Sequence, residues 1–204
     1  MYRIFGPPGT GKTTTLLNMV DKALSDGVSP SSIGFFAFTK KAAAEAKARA
    51  SRRFELDPDN DLPYFRTLHS LAYRLLGVKE HQMMGYAQYL ELSKAIGYDL
   101  NGTSYSEEWD TNIKVSDHPV LSLINLARTK KNKLRHEYNR SRINFSWTEV
   151  DYIANSYLNY KTANNLMDFT DLLMRFNEEA PLLLPEFKLC FVDEAQDLSP
   201  LQWD

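Results

Sequence analysis

The stretch "GPPGTGKTTT", residues 6 to 15, decides the fold, because it has the pattern of a phosphate-binding loop. In the pattern G-x-x-x-x-G-K-[ST], the glycines let backbone N–H groups turn toward phosphates, the lysine reaches the outer phosphates, and the hydroxyl binds Mg²⁺. Here Gly6 and Gly11 are the glycines, Lys12 is the lysine, and Thr13 carries the hydroxyl. The loop predicts a nucleotide site with Mg²⁺, although motors, switches and kinases all use it.

Apolar runs on either side of the loop predict strands. "YRIF" precedes the loop, "IGFFAF" covers residues 33 to 38, and "FKLCFV" covers residues 187 to 192. After the loop, apolar side chains recur at helical spacing until Gly27 ends the pattern. Continuous apolar strands separated by helices are typical of a parallel sheet with helices on both faces. The sequence therefore predicts an α/β fold.

Two further segments complete the predicted organisation. The first is a helix over residues 40–54, whose apolar face carries Ala43, Ala46, Ala50 and Phe54. The second runs from about Gly77 to Asn165, where the signals are mostly helical and no buried strand stands out. We therefore expect an α/β core that is interrupted by a mainly helical insertion.

A pair of acids follows the last predicted strand, in "FVDEAQD". An acid at the end of a buried strand can hold Mg²⁺, and a second carboxylate beside it can activate water. Asp193 is the candidate metal ligand, and Glu194 is the candidate base. Two acids after a strand can also simply open a polar loop. The phosphate-binding loop favours the catalytic interpretation, because ligands of open parallel sheets bind at the carboxyl ends of the strands.

Composition limits the class of protein. The chain has 204 residues, of which 43% are hydrophobic, and this is enough for a sizeable core. No run approaches the roughly 18 apolar residues that cross a bilayer, and no signal peptide stands out. We expect a cytoplasmic protein without a membrane partner. The single cysteine, Cys190, lies in an apolar run and is expected to be buried.

The net charge of −2 hides two basic segments. Residues 40–53 contain six lysines and arginines against one acid, Glu45, and residues 128–142 contain seven against one acid, Glu137. Such runs are most often solvated helix faces. Two of them in a short chain also suit a partner with a phosphate backbone, so contact with nucleic acid stays open.

Several motifs together resemble the UvrD/Rep type of superfamily-one DNA helicase. "GPPGTGKT", "FFAFTKKAAAEAKAR", "TLHSLAYRLL", "MDFTDLL" and "VDEAQDLSPLQ" occur here in the order of that family. The resemblance covers residues 1–76 and 166–204. It implies a P-loop NTPase (RecA-like) motor lobe that uses ATP and Mg²⁺, with residues 77–165 as a helical accessory insertion.

The resemblance also implies particular contacts. The residues expected at the nucleotide are Gly6, Pro7, Pro8, Gly9, Thr10, Gly11, Lys12, Thr13, Thr14 and Gln196, with Lys12 and Glu194 catalytic and with Thr13 and Asp193 at the metal. The residues expected at single-stranded DNA are Phe38, Thr39, Lys40, Thr67 and His69. An aromatic ring at a strand end offers a stacking face, although Phe38 can equally be core. A lone histidine is more often structural, and Asp168 is expected to cap a helix.

The resemblance also implies what the chain lacks. It ends at Asp204, before the second motor lobe, whose arginines are worth roughly 10³ to 10⁵ in rate. We therefore expect a lobe in the remainder of a longer chain, or in another subunit, to complete the site, and expect weak activity from this chain alone. The expected partner is single-stranded DNA or a duplex–single-strand junction. The alternative is a nucleotide-responsive module that binds DNA or protein without motor activity.

Overall fold

The computed structural model describes residues 2–7, 9–100, 103–105 and 114–204 of the chain. Its helices are α1 (Lys12–Ser25), α2 (Lys40–Phe54), α3 (Leu68–Leu75), α4 (Tyr86–Ile96), α5 (Pro119–Thr129), α6 (Leu134–Arg140), α7 (Trp147–Ala163), α8 (Phe169–Leu183) and α9 (Pro200–Trp203). Its strands are β1 (Ile33–Phe36), β2 (Phe65–Arg66), β3 (Thr103–Tyr105), β4 (Lys114–Ser116) and β5 (Leu189–Val192). Single 3-10 turns occupy Pro30–Ser32, Glu80–Gln82 and Ala195–Asp197. The α/β class is confirmed.

The chain divides into two compact units. The first comprises Met1–Leu71 and Leu184–Asp197, and the second comprises Ala72–Leu183 and Leu198–Asp204. In the first unit, three parallel strands form a sheet in the order β2-β1-β5. The central strand β1 is buried along its whole length, which explains why it appears in the sequence as a continuous apolar run.

The core of the first unit lies between one face of this sheet and helices α1 and α2. Phe35 of β1 is completely buried, and its ring stacks on Phe65 with 5.7 Å between the ring centres. Small side chains on α2, among them Ala46, bring the helix close to the sheet. The expected helix over residues 40–54 is confirmed, because its alanines recur at the spacing that one helical face requires.

Two expectations for this unit are wrong. The segment "YRIF" forms no strand within residues 2–7, and Tyr2 and Phe5 are 93% and 85% exposed. An apolar run becomes a strand only where it pairs with another strand, and this one pairs with none of the described strands. Cys190 is exposed rather than buried. Side chains alternate across a strand, so Cys190 points away from the face on which its neighbour Phe191 joins the core.

The second unit is mainly helical and has its own core. Leu121 and Ile124 of α5 pack with Val150 and Ile153 of α7, together with residues of α4. The second unit also contains an antiparallel pair of short strands, β3 and β4, which the sequence did not suggest. In the part of the chain that the structure describes, no helix is both long and apolar enough to cross a membrane.

Candidate functional site

The shape of the phosphate-binding loop depends on its glycines. A Cβ on Gly6 would lie 2.5 Å from the Thr10 hydroxyl oxygen, so a side chain at this position would force that threonine to move. Gly9 and Gly11 both have a φ of +80°, a left-handed conformation that glycine adopts readily and other residues rarely adopt. The glycine spacing of the motif is therefore a backbone requirement. Pro8, a predicted nucleotide contact, lies outside the described residues.

Positive charge converges on this loop. The Lys12 ammonium donates hydrogen bonds to the carbonyl oxygens of Gly6 at 3.0 Å and Pro7 at 3.3 Å, so it lies across the loop. Helix α1 begins at Lys12, and its N-cap Gly11 provides no side chain to accept from the first N–H groups. The positive end of the helix dipole is therefore directed into the loop. This combination suits the phosphates of a nucleotide.

The strand-end acid lies beside the loop hydroxyl, although 180 residues separate them in sequence. The backbone N–H of Asp193 donates to the Phe36 carbonyl at 2.8 Å, which continues the pairing of β5 with β1. The Thr13 hydroxyl lies 2.9 and 3.1 Å from the two carboxylate oxygens of Asp193. Hydroxyl and carboxylate oxygens are the ligands that Mg²⁺ takes beside a nucleotide. These two residues therefore fit the predicted metal site.

The candidate base has an unusual backbone conformation. Glu194 has a φ of +51°, which is rare for a residue with a side chain and recurs at functional sites. The side-chain amide of Gln196 donates a hydrogen bond to the Glu194 carboxylate. This contact holds the carboxylate in one direction. The structure thus joins Gln196 to Glu194, whereas its predicted contact with nucleotide stays a prediction.

A cavity of about 780 Å³ opens beside these residues. Of the predicted site residues, the ones that line it are Thr13, Thr14, Thr39, Asp193 and Glu194. The cavity therefore includes both candidate metal ligands, the candidate base and one of the residues expected at DNA. Leu17, Ala42 and Glu45 line it as well, and Arg49, Arg52 and Arg53 extend it along α2. The motifs gave no indication that these α2 arginines border the site.

Three of the residues predicted at DNA follow strand β1. Phe38 is only partly buried and does not belong to the core of the first unit. The Thr39 hydroxyl oxygen accepts a hydrogen bond from the Ala42 N–H at 3.3 Å, so Thr39 caps helix α2. Lys40 is the first residue of that helix. A partly exposed ring, a capping hydroxyl and a cation at a helix N-terminus can together meet a base and a phosphate.

The other two residues predicted at DNA are buried. Thr67 is 3% exposed, and its hydroxyl oxygen accepts from the backbone N–H of Ser70 at 3.2 Å. His69 is 7% exposed. Arg66 also reaches this turn, because its guanidinium lies 3.3 Å from the Ser70 hydroxyl. Burial of this kind fits a structural role, and direct contact of Thr67 and His69 with DNA stays a prediction.

Asp168 does cap a helix, as expected, but it also has a second role that the sequence did not reveal. Its carboxylate accepts from the backbone N–H of Asp171 at 2.8 Å, at the start of α8. The same carboxylate accepts from the guanidinium of Arg128 at 2.8 and 3.0 Å, from the ammonium of Lys161, and from the Tyr157 hydroxyl at 2.9 Å. These partners come from α5 and α7. The carboxylate therefore joins three helices of the second unit.

This buried cluster shifts the acidity of its members. Burial by itself would raise the pKa of Asp168, but the charges of Arg128 and Lys161 outweigh it and hold this pKa well below the ordinary value. Burial, together with the charge of Asp168, raises the pKa of Tyr157 well above its usual range. Two carboxylates face two cations here, since Asp171 also binds Arg128 and Lys161. The cluster is a neutral cross-link between helices.

The basic segment 128–142 has one acid, and the structure buries it. Glu137 is 4% exposed, and it accepts hydrogen bonds from Asn132 at 2.7 Å and from Lys130 at 3.3 Å. The cations that remain exposed and form no ion pair with a carboxylate within the described residues are Lys133, Arg135, Arg140 and Arg142. We call this set the α6 basic face. Its outer surface carries positive charge alone.

Most of the aromatic residues near the α6 basic face belong to the core. Tyr138, Phe145 and Trp147 pack against the core of the second unit. The guanidinium of Arg135 lies over the Trp147 ring, 4.4 Å from its centre, and also over Tyr138 at 5.4 Å. These three rings therefore serve the packing of the second unit. Arg135 is ordered in advance by a cation–π contact.

The fold and the site define a class first. A glycine-rich loop that meets a strand-end carboxylate at the edge of a parallel sheet is the arrangement of an α/β protein with a candidate nucleotide site. The family model described as the UvrD/REP helicase N-terminal domain matches residues 2–204 of the chain. The chain therefore belongs to this family.

A curated relative agrees with the family. The chain is 26% identical over 218 aligned residues to a "Probable DNA helicase" of Mycoplasma pneumoniae (strain ATCC 29342 / M129 / Subtype 1). The alignment covers 98% of this chain and 40% of that relative, so the chain spans less than half the length of the protein it matches.

Proposed function

We propose that the chain is the ATP-binding lobe of an ATP-dependent DNA helicase or translocase, with a P-loop, RecA-like core. The observation that carries the proposal is the contact of the Thr13 hydroxyl with the Asp193 carboxylate, at 2.9 and 3.1 Å. It brings the phosphate-binding loop and the strand-end acid to one place. Membership of the UvrD/REP helicase family and the similarity to a probable DNA helicase support the motor reading.

Each residue of the site has a role in this proposal. Thr13 and Asp193 hold the Mg²⁺ that accompanies ATP, and this metal neutralises phosphate charge when it is bound. Lys12 and the N-terminus of α1 bind the outer phosphates. Glu194 takes the proton from the attacking water, and its contact with Gln196 keeps the carboxylate oriented.

We further propose that the RecA-like core comprises residues 1–76 and 166–204, and that residues 77–165 are the accessory insertion. A second motor lobe, in the remainder of a longer chain or in another subunit, completes the catalytic site. Because that lobe supplies the arginines that stabilise the transition state, we expect weak hydrolysis by residues 1–204 alone.

Two surfaces of the chain are proposed to contact DNA. Phe38, Thr39 and Lys40 offer a ring, a hydroxyl and a cation to single-stranded DNA. The α6 basic face offers exposed cations that form no ion pair with a carboxylate among the described residues, and these suit a phosphate backbone irrespective of sequence. Single-stranded DNA suits the first surface, and duplex DNA suits the second.

The test is DNA-stimulated ATP hydrolysis and strand separation by the full-length gene product. We expect stimulation by oligo(dT), with both activities lost in Lys12→Ala and in Glu194→Gln. Glu194→Gln keeps the size of the side chain and removes only its basic carboxylate, so it should still bind ATP, whereas Lys12→Ala should bind ATP weakly. Lys22→Ala, an exposed lysine in the same helix, is the matched control.

The same measurements separate the proposal from its alternative. Equal hydrolysis by the wild type and by both variants would overturn the enzyme reading. ATP and DNA binding without hydrolysis or strand separation, in the full-length protein, would support a nucleotide-responsive binding module instead. An absence of stimulation by single-stranded DNA would argue against the proposed contact of Phe38, Thr39 and Lys40 with DNA.

A further inference from the structure

Helices α1 and α2 both begin at the candidate site and then extend away from it. Helix α1 starts at Lys12 in the phosphate-binding loop, and α2 starts after its N-cap Thr39, where DNA contact is proposed. The cavity opens beside both helices: Thr13 and Leu17 line it from α1, and Ala42, Arg49 and Arg53 line it from α2. The two ends that carry the proposed ligand contacts are therefore separated by open space.

Farther along, a buried ion cluster joins the two helices. The Asp21 carboxylate is 4% exposed and binds the guanidinium of Arg49 at 3.0 Å and that of Arg53. Arg49 also donates to the Asn18 side-chain oxygen at 2.6 Å. Among the described residues, these contacts are the only side-chain hydrogen bonds and ion pairs between α1 and α2. We call these four residues the Asp21 cluster.

The position of the cluster along both helices is the same. Asp21 is nine residues beyond the first residue of α1, Lys12, and Arg49 is nine residues beyond the first residue of α2, Lys40. At 1.5 Å per residue, the cluster lies about 14 Å from either helix start. The Asp21 cluster thus links the two helices at one level, away from the ends that carry the proposed ligand contacts.

We propose that Asp21 is a positioning residue that couples the nucleotide site to the DNA site. A nucleotide that moves the start of α1 changes the orientation of the whole helix, since an α-helix is stiff over three turns. The Asp21 cluster passes this movement to α2 and so to Thr39 and Lys40. The inference rests on the proposed function, because it requires that nucleotide binds at α1 and DNA binds at α2.

The chemistry of the Asp21 cluster suits a link between α1 and α2. Arg49 meets a carboxylate and an amide oxygen at once, which fixes the angle between the helices as well as their distance. Apolar contacts, by contrast, tolerate sliding because they have no direction. Leu17, Val20 and the alanines of α2 share one apolar core with the sheet. The cluster is the directional link between them.

The experiment measures how much nucleotide changes DNA affinity. Binding of fluorescein-labelled oligo(dT) to residues 1–204 is followed by fluorescence anisotropy, with Mg²⁺ alone and with Mg²⁺ and a non-hydrolysable ATP analogue. The ratio of the two dissociation constants is the coupling, which is about 5- to 150-fold in typical linked systems. The variants are Asp21→Asn, Arg53→Gln and the control Asp26→Asn. Asp26 is the C-cap of α1, and its exposed carboxylate pairs with Lys22.

We expect the coupling ratio to fall to nearly 1 in Asp21→Asn, to an intermediate value in Arg53→Gln, and to stay at the wild-type value in Asp26→Asn. The dissociation constants for each ligand alone should change less than threefold. A purely structural role predicts something different, because a smaller folded fraction weakens binding with and without nucleotide equally and leaves the ratio unchanged. Circular dichroism establishes that each variant is folded.

Several outcomes overturn the proposal. An unchanged ratio in folded Asp21→Asn does so, and if that variant does not fold, an unchanged ratio in Arg53→Gln does so, since this arginine is 55% exposed. A wild-type ratio of 1 with clear binding of both ligands also rejects the coupling while leaving the proposed ligands intact. If the wild type binds neither ligand, the proposed function itself fails, and this inference fails with it.

Discussion

The two basic segments of this chain look alike in sequence and differ in structure. In segment 40–53, three of the six cations bind acids: Lys47 binds Asp59, and Arg49 and Arg53 bind the buried Asp21. These acids lie outside the segment, so its charge is neutralised in part by α1 and by the turn that follows α2. Lys40, Lys41 and Arg52 form no ion pair with a carboxylate among the described residues.

Segment 128–142 divides differently. Its first three cations are neutralised, Arg128 by the buried Asp168 cluster, Lys130 by Glu137, and Lys131 by Asp204. The four later cations, which form the α6 basic face, are exposed. The number of charged residues in a segment therefore says little about the charge on its surface. Distant acids, which only the fold brings near, decide which cations are structural and which remain available to a partner.

The variant Asp168→Asn should have the largest effect on the free energy of unfolding. It leaves Arg128 and Lys161 with one carboxylate, that of Asp171, in place of two. Removal of one partner from a buried ion pair costs about 3–5 kcal/mol. We expect that loss in the free energy of unfolding, measured by urea titration with far-UV circular dichroism. Asp26→Asn, which breaks an exposed pair, should change it by less than about 0.5 kcal/mol. Equal effects of the two variants would show that burial does not distinguish these cations.

Acidity offers a second test of the same cluster. The pKa of Asp168 is lowered in the folded chain, so its contribution to stability is complete above the unfolded value of about 3.9 and is lost as the pH falls from there toward the lower folded value. We expect the free energy of unfolding of the wild type to decrease between pH 5 and pH 2. The decrease should be shallower in Asp168→Asn, because this variant has lost the titrating group. Parallel pH profiles would contradict the assignment.

These tests also show where the sequence was sufficient. Strand β1 and helix α2 were predictable, because their periodicity depends on residues within the element. The sequence predicted that the motifs of Thr13 and Asp193 belong to one site. It did not predict their direct contact, because 180 residues separate them. The error at "YRIF" has a physical cause, because an apolar run does not reveal whether a partner strand is available to it. No pattern in the sequence indicated that Asp21 links α1 to α2.

DNA binding should separate the paired cations from the exposed ones. The double variant Arg140→Gln/Arg142→Gln removes two exposed charges, and the matched variant Lys22→Gln/Lys47→Gln removes two that are paired with acids. Each lost phosphate contact reduces the slope of log K against log salt by about 0.9 for duplex DNA. We expect a slope reduced by about 2 and roughly three- to tenfold weaker binding in the first variant.

The measurement is anisotropy of a labelled 20-base-pair duplex over a series of salt concentrations, with residues 1–204. The matched variant should keep a slope close to that of the wild type, because its lysines already have partners. A similar loss in both variants would mean that binding follows total charge, and the distinction between the two segments would then have no functional meaning.

The smallest expected effect concerns Arg135, which belongs to the α6 basic face and also covers the Trp147 ring. An exposed cation–π contact contributes about 0.5–1 kcal/mol, so Arg135→Gln should lower the free energy of unfolding by that amount. Lys133→Gln removes a neighbouring cation that has no such ring beneath it, and it should leave stability unchanged. Both variants should weaken duplex binding, but Arg135→Gln more, because a guanidinium already held against tryptophan loses less conformational freedom when it meets a phosphate. Equal stability and equal affinity in the two variants would show that the ring contact neither holds Arg135 in place nor prepares it for DNA.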